Sequence, residues 1–201
     1  MLIFGQMKRL IDFLFSLSGL IVLSPLFLSV SILVQMRSPG PIFHRGKRIG
    51  KNGKPFFMYK FRSMIEGAEE IGGPSTASDE PRLTKMGKFL KNFQLDELPQ
   101  LINVLKGEMS LVGPRPEVSL YVDMMREEER RVILSVKPGM TDLASLWNFH
   151  EGEILKGSLN PEKTYLEKIR PEKIRLQMEY VKNRSFWLDL KILLKNGFSS
   201  L

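Results

Sequence analysis

A chain of 201 residues is long enough for one core of ordinary size and too short for two. It has no cysteine and only two histidines, His44 and His150, which argues against disulfides, a thiolate metal site or a histidine-rich transition-metal centre. Lys and Arg exceed Asp and Glu by 30 to 22, a net charge of +8, which favours anionic partners: nucleic acid, phosphorylated metabolites or a lipid surface.

The first feature along the chain is an apolar run from Leu10 to Val34 whose only charge is Asp12. It is long enough to cross a bilayer as a plain single-span anchor. It is too long for the apolar core of a cleaved signal peptide, and no small-x-small cleavage site follows it. Two features favour a helix that enters one leaflet and returns. Ser24-Pro25 lies near the middle, where proline removes a backbone donor and kinks a helix. Lys8 and Arg9 precede the run and Arg37 follows it; cations stay on the cytoplasmic side, so both ends belong on one face. The carbonyls freed by Pro25 need a donor, and the Ser24 hydroxyl is the candidate.

Arg37-Ser38-Pro39-Gly40-Pro41 breaks the helix. From Arg37 to Arg62 the chain then carries Arg45, Lys47, Arg48, Lys51, Lys54 and Lys60 with no carboxylate. A solvated basic face is the ordinary explanation, but the position after an apolar segment favours a collar against anionic lipid. Phe56, Phe57, Tyr59 and Phe61 alternate as in a half-buried strand rather than a row of base-stacking platforms, which speaks against nucleic acid. Ile42–His44 and Phe56–Tyr59 read as short strands joined by a loop with Gly50, Asn52 and Gly53.

Residues 65–82 read as a polar loop. Leu83, Met86, Phe89, Leu90 and Phe93 have helical spacing, and a second helix is expected from Asp96 to Lys106, stopped by Gly107. Leu111 to Pro116 is a stiff turn with Arg115 between two prolines. One amphipathic helix is expected from Tyr121 to Val136, a turn at Lys137-Pro138-Gly139, and a helix starting with Pro171 in its first turn. Ser185 to Lys195 mixes aromatic, aliphatic and lysine residues, as an interfacial helix does; a buried terminal helix fits equally. The fold class expected is α+β and mostly helical: residues 1–36 as a re-entrant membrane helix, and residues 37–201 as a small catalytic domain with a short β-hairpin and amphipathic interfacial helices.

Asp96-Glu97 at a helix start is, by itself, most simply an N-cap and its dipole partner. Its neighbours in sequence give it another use. Lys60 and Arg62 lie on the cationic strand, Lys85, Lys88 and Lys91 on the preceding helix, and Arg115 in the proline clamp. A carboxylate at a helix N-terminus is expected to have a lowered pKa and so to stay ionised and able to attack phosphorus. A second carboxylate can help hold Mg²⁺, and arginine binds phosphate in two-pronged fashion. No glycine-rich phosphate loop is present.

Lys60-Phe61-Arg62-Ser63-Met64, Leu95-Asp96-Glu97-Leu98-Pro99-Gln100, the stretch from Asn103 to Pro116, and Lys137-Pro138-Gly139-Met140-Thr141 resemble the monotopic phosphoglycosyl transferases, the bacterial sugar transferase family. The resemblance runs from Ser24-Pro25 to Asp189-Leu190-Lys191. It implies that Asp96 attacks the β-phosphate of a UDP-sugar, giving a covalent phospho-sugar enzyme and UMP, and that polyprenol (undecaprenyl) phosphate then takes the phospho-sugar. It implies Asp96 as the nucleophile, Glu97 as support for Mg²⁺ or proton handling, Arg115 as a phosphate or nucleotide ligand, and Ser24-Pro25 as the re-entrant break. Taken with the neighbouring charges, Asp96 and Glu97 are the expected catalytic and Mg²⁺-binding residues, and Lys60, Arg62 and Arg115 the expected phosphate site. The expected location is the cytosolic face of a bacterial inner membrane, and a homodimer is left open. The chain departs from the family at Gln94, where a small hydroxyl residue is usual. It departs again after Gly139, where Met140 to Asn148 replaces the usual Thr-Gly-x-x-Gln-Val pattern, so no site residue is assigned from Met140 to Glu153. Two rivals remain: single-step transfer with Asp96 only as metal ligand or base, and a non-catalytic basic protein of the membrane surface.

Overall fold

The computed structural model describes residues 2–37, 40–71, 77, 79–148 and 151–199; Ser38 and Pro39 of the helix-breaking turn, part of the 65–82 loop, and His150 lie outside them. Helix α1 (Leu2–Val22) and helix α2 (Ser24–Arg37) meet at a 62° bend. Pro25 cannot donate to the Ile21 carbonyl, and Ser24 Oγ donates to it instead at 2.7 Å, as the sequence led us to expect. Among the described residues no single helix is long and apolar enough to cross a membrane, whereas the bent pair together meets that length and composition.

Strands β1 (Phe43–Ile49) and β2 (Pro55–Phe61) form an antiparallel hairpin in which Phe43 pairs with Phe61 and Ile49 with Pro55. Both strands are longer than expected, and a 3₁₀ turn at Lys51–Gly53 joins them. Helix α3 (Ala68–Ile71) is followed by α4 (Lys85–Asn92), whose N-terminus is capped by Thr84 Oγ1 accepting from Gly87 N at 2.8 Å. Gly87 is required there: a Cβ would lie 1.7 Å from the Ser63 carbonyl oxygen.

The helix expected over 96–106 is shorter than that. Gln94 is left-handed (φ 53°), Leu95–Glu97 form one 3₁₀ turn, and α5 spans only Gln100–Lys106. Pro99 has no N–H, so it cannot carry the α-helical hydrogen bonding back through Asp96. Strand β3 (Ser110–Val112) occupies the start of what reads in sequence as a turn. The single helix expected over 121–136 is two, α6 (Ser119–Asp123) and α7 (Glu127–Ile133). Arg126 is extended (ψ 150°), and its N–H donates to Glu129 Oε2, so a capping box starts a new helix inside the charged run.

Strand β4 (Gly139–Thr141) pairs in parallel with β3, Ser110 against Gly139 and Val112 against Thr141; this pairing has no counterpart in the sequence reading. Helices α8 (Leu143–Trp147), α9 (Glu151–Leu155) and α10 (Pro161–Thr164) follow. A π-helical turn, Tyr165–Ile169, runs directly into α11 (Arg170–Asn183), so Pro171 sits where helix register changes. Helix α12 (Phe186–Ser199) combines both readings of the tail: Ile192 is buried, while Phe186, Trp187 and Leu194 are exposed.

The core that positions the site is built in patches. Val30 and Val34 of α2 pack with Phe61 of β2 and Leu90 of α4. Complete burial of a side chain such as Phe61 or Leu90 contributes about 1.5–3 kcal/mol. Helix α1 is tied to the rest by charge. Arg9 donates to the Val104 and Leu105 carbonyls at 2.6 and 2.8 Å, at the C-terminal end of α5 where helix carbonyls lack partners. Asp12 Oδ1 accepts from Leu111 N at 3.1 Å, and Lys8 pairs with Asp189.

Asn103, fully buried on α5, stands in for an edge strand. Its Oδ1 accepts from Tyr59 N at 3.0 Å, and its Nδ2 donates to the Phe57 carbonyl and to Glu108 Oε2, both at 2.7 Å. Asn103→Leu strands the Tyr59 donor and the Phe57 acceptor inside the protein, at about 1–3 kcal/mol for each orphaned group. The expected outcome is a clear drop in Tm, read by thermal unfolding in detergent.

Candidate active site

Four elements converge on one place. β2 delivers Lys60, α4 delivers Lys88 and Lys91, the 3₁₀ turn delivers Asp96 and Glu97, and the Pro-Arg-Pro turn after β3 delivers Arg115. All six line a cavity of about 660 Å³, a size that suits a small ligand. Glu97 is the hub. Its Oε1 accepts from Lys60 Nζ at 2.7 Å and from Arg115 Nη2. Asp96, only 3% exposed, has Lys60 Nζ at 4.0 Å, and its carboxylate accepts no hydrogen bond among the described residues.

Burial sets the two carboxylates apart. At Asp96 it raises the pKa above the usual aspartate range; Lys60 pulls the other way, and the neighbouring Glu97 charge adds to the rise. The lowering expected from a helix N-terminus is therefore overturned, because Asp96 lies in a 3₁₀ turn and is desolvated. At Glu97 burial also pushes upward, but the Arg115 and Lys60 charges and hydrogen bonds outweigh it and hold the group well below its usual range. Lys91 is pulled down to about 8, by burial first and by Lys60 next. One carboxylate is thus locked as an anion while its neighbour keeps a basic, hydrogen-bond-free oxygen facing a cationic cavity.

Arg115 is held from behind. Its Nη1 donates to the Met140 carbonyl at 3.0 Å and its backbone N–H to Asp142 Oδ2 at 3.2 Å. Asp142, fully buried, accepts also from Gln177 Nε2 at 3.2 Å, Ser145 N at 2.7 Å and Ser145 Oγ at 2.8 Å. Met140, Asp142 and Ser145 fall in the stretch left unassigned from sequence, Gln177 comes from α11, and no local pattern marks them.

Of the residues singled out from sequence, Lys60, Asp96, Glu97 and Arg115 come together and Arg62 does not. Alternation along a strand would put Arg62 on the Lys60 face, but β2 ends at Phe61. Arg62 is buried elsewhere, with Nη1 only 2.2 Å from where a Cβ on Gly40 would stand, and it does not line the cavity. Ser24 and Pro25 shape the bend and not this site. The sequence reading named Lys91 only as part of a basic helix; its i,i+3 spacing from Lys88 was the available signal.

Among the described residues no three His, Cys, Asp or Glu side chains cluster as a metal cage. The adjacent carboxylates Asp96 and Glu97 are hard oxygen donors of the kind that hold Mg²⁺ when substrate phosphates and water complete its shell, so the pair fits that ion.

A family model described as bacterial sugar transferase matches residues 4–201. The chain is 34% identical over 195 residues to the UDP-N-acetylgalactosamine-undecaprenyl-phosphate N-acetylgalactosaminephosphotransferase of Aeromonas hydrophila, covering 96% of this chain and 43% of that protein. It is 36% identical over 194 residues to the UDP-glucose:undecaprenyl-phosphate glucose-1-phosphate transferase of Escherichia coli K12, covering 96% and 39%. It is 36% identical over 207 residues to the exopolysaccharide production protein PSS of Rhizobium leguminosarum bv. phaseoli, covering 97% and 95%. The chain therefore spans about two fifths of the first two relatives and nearly all of the third.

The raised pKa of Asp96 has a stability consequence. Its charge is harder to bear in the folded chain than in the unfolded one, so ionisation costs stability above the raised pKa and costs nothing once pH falls below both values. Asp96→Asn is expected to raise Tm at neutral pH, by about 2–4 °C for each kcal/mol relieved in a chain of this size. The gain should shrink as pH falls through the raised value, as thermal unfolding over a pH series would show.

Proposed function

We propose, from the premise that this chain belongs to the bacterial sugar transferase family, that it moves a phospho-sugar from a UDP-sugar to undecaprenyl phosphate through a covalent intermediate on Asp96. The observation that carries the mechanism is the buried Asp96 carboxylate, which accepts no hydrogen bond among the described residues, beside Glu97 clamped by Lys60 and Arg115. An Asp96 oxygen attacks the β-phosphorus of the donor. The bond from that phosphorus to the bridging oxygen breaks, and UMP leaves with the electron pair. An oxygen of the lipid phosphate then attacks the same phosphorus, the Asp96 carboxylate departs, and a polyprenyl diphosphate sugar is formed.

Burial serves this chemistry twice. It raises the basicity of the attacking oxygen, and it strengthens the pull of Lys60, Lys91 and Arg115 on the phosphate oxygens. Arg115 keeps one nitrogen on Glu97 and another on the Met140 carbonyl, so its fork is fixed before the donor arrives. Mg²⁺, held by Asp96 and Glu97, would neutralise charge on the diphosphate and the departing UMP.

The acceptor requires contact with lipid, and the bent pair supplies the surface for it. Leu14, Phe15, Ile21, Val22, Leu28 and Met36 are exposed on α1 and α2. So large an apolar face belongs against another apolar medium. We read residues 1–36 as a re-entrant element in the cytosolic leaflet of a bacterial inner membrane and residues 37–201 as the catalytic part, with Phe186 and Trp187 of α12 at the interface.

With UDP-sugar and no lipid acceptor, the enzyme should release about one UMP per chain. It should also gain the mass of a phospho-sugar on the peptide carrying Asp96. UMP release that needs the acceptor, with no adduct, would establish single-step transfer instead. Asp96→Asn should lower turnover by on the order of 10³-fold or more. The pH profile should have two limbs. Activity falls on the acid side as Asp96 protonates, above the ordinary aspartate range. Donor KM rises as Lys91 loses its charge above about 8, a limb that Lys91→Arg should push to higher pH.

A further inference from the structure

The cavity holds a second polar group that phosphate chemistry does not use. Glu117 bridges Ile49 in extended conformation and lies two residues beyond Arg115, so both side chains project from the same face of the chain into the cavity. Glu117 is 5% exposed. Its Oε1 is held by Lys173 Nζ at 3.1 Å and Tyr165 OH at 3.3 Å, and Lys173 in turn donates to Tyr165 OH at 3.0 Å. Its Oε2 is buried with no hydrogen-bond partner among the described residues. Thr141 Oγ1, on another residue lining the cavity, is likewise buried and unpartnered. Beside them, Tyr121 and Tyr165 stack with ring centroids 5.0 Å apart and also line the cavity.

A buried carboxylate oxygen without a donor is costly, and a structure keeps one where a ligand completes it. The missing partner must carry hydroxyl or N–H donors. A phosphate has none to give at neutral pH and is repelled by a carboxylate. Lys173 and Tyr165 hold the first oxygen, so the second is fixed in direction. Aromatic rings beside a few fixed polar groups are the make-up of a site for a ring-shaped ligand.

We infer that Glu117 and Thr141 form the subsite that recognises a hydroxyl-bearing sugar ring of the donor: Glu117 Oε2 accepts from a ring hydroxyl, Thr141 Oγ1 bonds a second, and Lys173 and Tyr165 position the carboxylate. This rests on the reading of the cavity as a nucleotide-sugar site. The ring is either the ribose of the nucleotide or the transferred sugar, and the two are separable by experiment.

The test uses the full chain in nanodiscs with undecaprenyl phosphate, a panel of UDP-sugars, and UMP and UDP as competitors. Glu117→Gln should raise donor KM by about 10-fold or more with a smaller change in kcat, as expected for losing a hydrogen bond to a charged group. Thr141→Val keeps the shape and removes a hydroxyl that has no protein partner, so a structural role predicts unchanged kinetics, whereas the subsite predicts a raised KM. If the ring is ribose, the inhibition constants of UMP and UDP rise with KM and the ranking of sugars is unchanged. If it is the transferred sugar, UMP binds as before and the ranking changes. Wild-type KM for every donor in folded Thr141→Val and Glu117→Gln overturns the subsite while leaving the transfer reading intact. A wild-type chain that releases no UMP from any donor overturns the transfer reading, and the subsite with it.

Discussion

Two carboxylates side by side in a partly closed cavity repel each other, and the site depends on how that repulsion is resolved. Lys60 and Arg115 converge on one oxygen of Glu97, and their charge keeps that group ionised despite burial. Asp96 is left with burial as its dominant influence and Lys60 only at 4.0 Å. Had the cations been shared evenly, both groups would be quenched anions. The uneven sharing leaves Asp96 with the more basic oxygen, at a cost in stability that the rest of the fold must offset.

Much of the remaining structure holds those two cations in place. Lys60 sits at the end of a hairpin that Asn103 locks from α5, and two residues after the strand ends comes Ser63, which α4 can approach only because position 87 has no side chain. Arg115 is held through its own backbone by Asp142, itself saturated by Gln177 and Ser145. The parallel pairing of β3 with β4 brings the two segments together, and at the contact of Gly113 with Gly139 a Cβ on Gly139 would lie 2.1 Å from Gly113 N. The site is therefore assembled from pieces that hold one another in place.

Charge also joins the bent helix pair to this assembly. Arg9 and Asp12 of α1 bind the end of α5 and the start of β3, the elements on either side of Gly107. The helices with the exposed apolar face are thus fastened directly to α5, which follows the turn carrying Asp96 and Glu97, and to β3, which precedes Arg115. A tilt of α1 would be transmitted to α5 by the bidentate Arg9 contact without any intervening loop.

What the sequence determined by itself were features governed by local backbone chemistry. Pro25 removes a donor wherever it sits, so the bend and its Ser24 repair were legible, as was the periodic helix α4; Asp96, Glu97, Lys60 and Arg115 were singled out by residue type and resemblance, and the fold lines one cavity with them. Tertiary structure decided whatever depends on which groups lose water and which distant segments pair. Arg62 follows Lys60 by the strand rule yet turns toward Gly40 once β2 ends; the helix expected from 121 to 136 yields to a capping box at Arg126; and three-residue strands are too short to show a pattern before they meet. The pKa of Asp96 is the clearest case. A helix N-terminus, a local property, pointed downward, and desolvation, which only the assembled chain imposes, carried it upward.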